Sequence, residues 1–222
     1  MREIVLDTET TGLDANGGDR IVEIGCVELI DHFPTGETYQ CYVNPERDMP
    51  AEAEAVHGLN AEFLSQHGVF ADAVDEFLAF IADSPLVIHN ARFDLGFINA
   101  ELALLGRPPL PGERAIDTVQ MARRKLPGKQ ANLDALCRHF NIDNSDRALH
   151  GALKDADLLA KVYLELLGGR QRGLELAGTK TAAPGSSVPE THRPPRPHAP
   201  TAEEEAAHAA FLDKVKGPLW RA

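Results

Sequence analysis

Asp7 and Glu9 stand one residue apart, directly after the apolar run Ile4-Val5-Leu6. Alternate side chains of an extended strand share a face, so the two carboxylates project together. A strand gains nothing from such a repelling pair. It reads either as a solvated strand end or as half of a site for a hard cation such as Mg²⁺ or Mn²⁺, which takes oxygen ligands. Three further residues bear on that choice. Asp94 ends the run His89-Asn90-Ala91-Arg92-Phe93-Asp94, past an apolar strand and near the start of a helix. Asp155 ends His150-Gly151-Ala152-Leu153-Lys154-Asp155, in the first turns of a long helix, with His150 at its entrance. Taken singly, Asp94 and Asp155 are acids that complement a helix dipole, and His150 is a surface or capping residue. Gathered in one cleft, four carboxylates would force some of their number to protonate. Two divalent cations roughly 4 Å apart relieve that repulsion and make a site for in-line phosphoryl displacement. A neutral histidine then has the right basicity to take a proton from the attacking water.

The elements that must position these groups follow from hydrophobic spacing. Residues 4–6, 21–29, 38–43 and 86–89 read as strands, the second and third joined as a hairpin through a link at 31–36 that contains Pro34 and Gly36. Short helices are expected over 51–66, broken near His57-Gly58. Apolar stripes predict longer helices over 71–82, 93–105, 118–125, 133–140 and 151–167. Three strands before any long helix, followed mainly by helices, imply an α/β fold with helices packed on a mixed sheet. The composition changes after Gly168-Gly169, and from about Gly173 to Pro200 it is rich in Pro, Thr, Ala, Gly and Ser, a flexible or polyproline-like linker. Thr201-Ala202-Glu203-Glu204 is a capping box that opens a last helix through about Val215. The one tryptophan, Trp220, follows in a tail too short to bury it, which suggests docking on a partner.

The 222 residues carry a formal net charge of −12, which excludes a broad basic face for nucleic acid. Residues 1–172 hold 28 acids and 16 bases, and residues 173–222 hold 6 of each, so the acidity belongs to the part with the suspected cation site. Cys26, Cys41 and Cys137 form no paired motif and read as buried thiols in a reducing compartment. No signal segment or long apolar run is present, so a soluble cytoplasmic protein without membrane contact is expected. His67, His139, His192, His198 and His208 lack ligand spacing. Asp117, Asp134 and Asp157 read as caps or solvated acids. Arg92, Arg123, Arg124 and Lys125 are either DNA-backbone contacts or a solvated face.

In combination the motifs are specific. Asp-Thr-Glu at 7–9, N-A-R-F-D ending at Asp94 and H-G-A-L-K-D from His150 to Asp155 resemble, in order, the three motifs of the DEDDh 3′→5′ exonucleases. Within that family the chain is similar to the proofreading subunits of bacterial DNA polymerase III. The likeness extends to V-H-G-L at 56–59, L-V-I-H-N at 86–90, P-G-K at 127–129, L-D-A-L-C at 133–137, I-D-N-S at 142–145 and L-W-R-A at 219–222. It implies a ribonuclease H-like mixed five-stranded sheet flanked by helices, followed by a flexible tail. Asp7, Glu9, Asp94 and Asp155 would hold two divalent cations, Mg²⁺ or Mn²⁺, and His150 would be the general base. Thr8, Thr10 and Thr11 would seat the 3′-terminal nucleotide, with Glu52 and His57 touching it. Hydrolysis would release nucleoside 5′-monophosphates from a single-stranded or frayed DNA 3′ end.

The resemblance also divides the chain into an exonuclease domain at 1–170, a linker at 171–200 and a polymerase-binding segment at 201–222. Leu219 and Trp220 would anchor the polymerase alpha subunit, and Gln171, Leu174 and Leu176 of a Q-x-x-L-x-L peptide at 171–176 would contact the sliding clamp. A small theta-like third subunit and a place at the nucleoid replisome belong to the same expectation. From Ala177 to Pro200 the linker departs from the family in composition, which matters little for a tether. Two other functions compete. A related exonuclease acting on RNA or short oligonucleotides needs no tail with Trp220, and a non-catalytic scaffold would not need all five site residues.

Overall fold

The computed structural model describes residues 1–145, 149–169 and 199–216. The chain divides into two compact units, Met1–Glu175 and Leu176–Ala222. In the first, the elements run β1 (Arg2–Thr10), β2 (Ile21–Ile30), β3 (Phe33–Tyr42), α1 (Ala51–His57), α2 (Ala61–Leu64), α3 (Phe70–Ile81), β4 (Leu86–Ile88), α4 (Ala91–Leu104), β5 (Ala115–Asp117), α5 (Thr118–Lys125), α6 (Leu133–Phe140) and α7 (Ala152–Leu167). The second holds α8 (Ala202–Leu212), whose Thr201 and Glu204 make the capping box read from the sequence. Gln171, Leu174, Leu176, Leu219 and Trp220, and the linker through residue 198, lie outside the described residues. Among those described, no helix is long and apolar enough to cross a membrane.

The strands form one sheet in the order β3-β2-β1-β4-β5. β1 pairs antiparallel with β2 and parallel with β4, β2 antiparallel with β3, and β4 parallel with β5. This is the ribonuclease H-like mixed sheet. Strand alternation sends its two faces into separate cores. Ile4, Leu6, Ile24 and Ile88 pack on α3 and α4. Val5, Val27, Leu29 and Val87 pack on α5, α6 and α7. By the same alternation Asp7 and Glu9 share the α7 face with Val5, while Thr8 and Thr10 share the α4 face.

Local differences from the sequence reading have physical causes. β1 runs to Thr10, so the acidic pair lies within the strand rather than past its end. The hairpin turn is only Asp31-His32, both at positive φ, and β3 begins at Phe33. Pro34 and Gly36 thus sit inside β3, where an edge strand tolerates a proline that donates nothing to the ladder. Of the three cysteines, Cys26 and Cys137 are buried as expected, whereas Cys41 is half-buried on that same edge strand.

Candidate active site

β4 is short and pairs with β1 only from Ile4 to Leu6. Beyond Leu6, the side of β1 that faces β4 has no strand partner, and the chain leaving β4 turns there into α4. Asn90 makes that turn in the left-handed region (φ 75°), which asparagine tolerates. Asp94, in the first turn of α4, thereby reaches back to β1. Its Oδ1 accepts Thr8 N–H at 3.0 Å and Thr8 Oγ1–H at 2.8 Å. Asp155 occupies the corresponding first turn of α7, on the face that carries Asp7 and Glu9.

Asp7, Glu9, Asp94, His150 and Asp155 all line one cleft of about 270 Å³, together with Thr8, His89, Phe93, Asn132, Leu133 and Asp134. Glu9, Asp94 and Asp155 are buried. His150 is half exposed at the rim, with Nδ1 3.3 Å from Asp155 Oδ2. Its backbone N–H donates to the Val56 carbonyl of α1 at 3.0 Å. Glu9, His150 and Asp155 each offer one ligand atom, all within 4.8 Å of one another. A set of carboxylates with one imidazole fits a hard divalent cation.

Burial pushes the Asp94 carboxyl up to about 7, against the hydrogen bonds from Thr8 and helped by the charge of Asp117. Folded Asp94 therefore holds its proton to higher pH than the unfolded chain does. The cation-free protein loses stability as pH rises from about 4 to 7, by on the order of 4 kcal/mol in total. Without metal, Asp94→Asn should melt roughly 8–16 °C above wild type at pH 8 and level with it at pH 4. Equal melting temperatures at pH 8 would remove the account of a buried, repelled carboxylate.

A second cleft, of about 430 Å³, adjoins the first and shares Thr8, Glu9 and Phe93 with it. Thr10, Thr11, Glu52 and His57 line it beside the apolar Leu13, Pro50, Ala53 and Val56. All five residues expected to seat a nucleotide thus share one wall system. Thr8, however, spends both its amide and its hydroxyl on Asp94. Thr10 Oγ1 donates to the Gly12 carbonyl at 2.6 Å, and Thr11 Oγ1 to Asp19 at 3.2 Å. Burial holds the His57 imidazole below its usual range, and its Nδ1 accepts Leu59 N–H at 3.0 Å.

Phe93, His89 and Asn132 were not singled out as site residues from the sequence. His89 follows the end of a parallel strand, where ligand sites of α/β sheets open, and that rule could have found it. Asp117 caps α5, accepting Val119 and Gln120 N–H, and Asp157 pairs with Lys161, as solvated or capping acids should. Asp134 accepts from Asn144 and lines the first cleft as well.

Carboxylates gathered at the open end of the central strand of a ribonuclease H-like sheet fit a metal-dependent nuclease. The model of the Exonuclease family matches residues 4–163. A DNA polymerase III subunit epsilon from Rickettsia felis is 49% identical, the alignment covering 97% of each chain. Among solved structures, Exonuclease X in complex with 5′ overhanging duplex DNA is 27% identical, with a TM-score of 0.59 over 74% of this chain and 90% of its own. The nuclease domain of 3′hExo, a DEDDh family member bound to rAMP, shares the fold at 18% identity, with a TM-score of 0.66 over 75% of this chain and 91% of its own. The chain belongs to the exonuclease family, in the branch formed by the DNA polymerase III epsilon subunits.

Proposed function

We propose that this exonuclease trims the 3′ ends of DNA as the proofreading subunit of the replicative polymerase, in the bacterial cytoplasm. Asp7, Glu9, Asp94 and Asp155 hold two divalent cations, Mg²⁺ or Mn²⁺, and His150 is the general base. The observation that carries this reading is that the five groups, drawn from β1, α4, α7 and the entrance to α7, line one cleft that shares Thr8, Glu9 and Phe93 with a second, larger one. When bound, the cations supply Lewis acidity to the attacking water and to the leaving oxygen.

The protein's own groups supply the rest. With Asp155 against Nδ1 of His150, Nε2 is the nitrogen that takes the proton, and the ring's exposure lets it pass that proton to solvent. The apolar walls of Leu13, Val56 and Phe93 offer the terminal base a stacking surface, while Thr10, Thr11, Glu52 and His57 face its sugar and edges. A terminal nucleotide must leave its pair to enter such a cleft, so a mismatched end, which frays more readily, is cut first. The alpha subunit is held by 201–222 through Leu219 and Trp220, and the clamp by Gln171, Leu174 and Leu176. A theta-like subunit completes the assembly.

Digestion of 3′-mismatched DNA, 3′-paired DNA and RNA, each with Mg²⁺, Mn²⁺ or EDTA, tests the reading. Mismatched DNA should be cut fastest, and EDTA should stop all cutting. Equal rates on mismatched and paired ends, or preference for RNA, would overturn it. Deleting 201–222 should leave digestion of single-stranded DNA intact and abolish co-purification with the alpha subunit.

A further inference from the structure

α7 carries Asp155 in its first turn and His150 just ahead of it, so its N-terminus must be held against β1 and β2. The local sequence offers no means of doing so, because Gly151 at the N-cap has no side chain to accept a first-turn amide. The acceptor comes from the sheet. Glu23 Oε2 on β2 receives Ala152 N–H at 3.1 Å, and its Oε1 receives Gln40 Nε2 from β3 at 2.8 Å. Across the β1–β2 ladder, Glu23 pairs with Glu9 and Gly25 with Asp7, so all four stand on the α7 face. Gly25 admits the helix: a Cβ there would lie 2.1 Å from Leu153 N and 2.2 Å from the Ala152 carbonyl carbon. A carboxylate directly across from another acid costs a sheet stability, the more so when only 2% exposed. That cost is offset where the carboxylate accepts from the positive end of a helix.

We infer that Glu23 is a positioning residue. It caps α7 from the sheet, and so sets where Asp155 and His150 stand relative to Asp7 and Glu9. The inference rests on the reading of Asp155 and His150 as metal ligand and base, and it assigns Glu23 no contact with cation or substrate.

The test uses the full chain with Glu23→Gln, Glu23→Ala and Glu23→Ala combined with Gly151→Ser. Mn²⁺ binding is followed by calorimetry and metal-free melting by circular dichroism, beside turnover on single-stranded DNA. An amide oxygen still accepts Ala152 N–H, so Glu23→Gln should keep Mn²⁺ affinity within about threefold of wild type. Glu23→Ala should weaken it about tenfold or more, the scale typical for groups that orient metal ligands. Gly151→Ser supplies a local N-cap. The nearest atom to its Cβ is Glu23 Oε2 at 3.9 Å, so it has room, and it should return the affinity toward wild type.

Unchanged Mn²⁺ affinity in Glu23→Ala alongside a lower melting temperature would make Glu23 merely structural and overturn the inference. Equal damage from Gln and Ala would overturn it too, by placing the effect in the charge. If Glu23→Ala does not fold, the double variant decides: recovered folding and Mn²⁺ affinity support the cap, and loss of either refutes it. Asp155→Asn is the control for the underlying reading. Wild-type Mn²⁺ affinity in that variant sinks the metal site itself, whatever Glu23 does.

Discussion

Asp7→Ala is expected to reduce kcat on single-stranded DNA by at least about a thousandfold while leaving the protein folded. A metal-supplied Lewis acid contributes several kcal/mol to charge stabilisation in a transition state, and each 1.4 kcal/mol is about tenfold in rate. Asp7 is only half-buried, on the strand face that also carries Glu9, with Gly25 opposite it across the ladder. Asp7 belongs to neither hydrophobic core, so its truncation opens no cavity there and the variant should still melt cooperatively. Glu9→Ala should cost as much in rate, and the double variant little more than either single one, because groups that share a cation act as a unit. Single-turnover digestion and a thermal melt on each purified variant decide the matter. Near-normal digestion by Asp7→Ala would refute the two-metal reading, since no other residue of β1 offers a carboxylate at that register.

Much of this geometry is legible in the sequence because it follows short-range rules. The alternation of Val5, Asp7 and Glu9 fixes their common face, and the helical stripes that start near Asp94 and Asp155 place both acids in first turns. What escapes is set by pairings that no local pattern announces. β5 is three half-buried residues with no alternation, and its Asp117 doubles as the cap of α5. Thr8 gives its amide to Asp94 because β4 is too short to pair with it, a bond that no local pattern foretells. Glu23 sits in a partly alternating strand and nothing in its local sequence marks it out; the arrival of α7 over Gly25 buries it. Phe93 falls on the apolar stripe of α4, so a wall shared by two clefts looks like core. The turn at Asp31-His32 was hidden by Pro34 and Gly36, stronger turn signals that an edge strand absorbs.

His150→Ala should lower kcat by about 10²–10⁴, the usual contribution of a general base. The substitution removes the ring and keeps the backbone N–H that donates to the Val56 carbonyl at 3.0 Å, so the entrance to α7 stays seated against α1. The geometry leaves one rival for the same side chain. His150 offers a nitrogen within 4.8 Å of ligand atoms on Glu9 and Asp155, which is also what a metal-binding imidazole does. The two roles differ in what they do to binding. A base acts on the water, so His150→Ala as a base variant loses turnover while Mn²⁺ affinity, measured by calorimetry, stays near wild type. A ligand variant loses affinity first, and added Mn²⁺ restores much of its rate. The half-exposed position of the ring, with Nδ1 toward Asp155, favours the base, since a proton taken at the rim has solvent to go to. A large fall in Mn²⁺ affinity with rate recovered at high metal would reassign His150 from base to ligand.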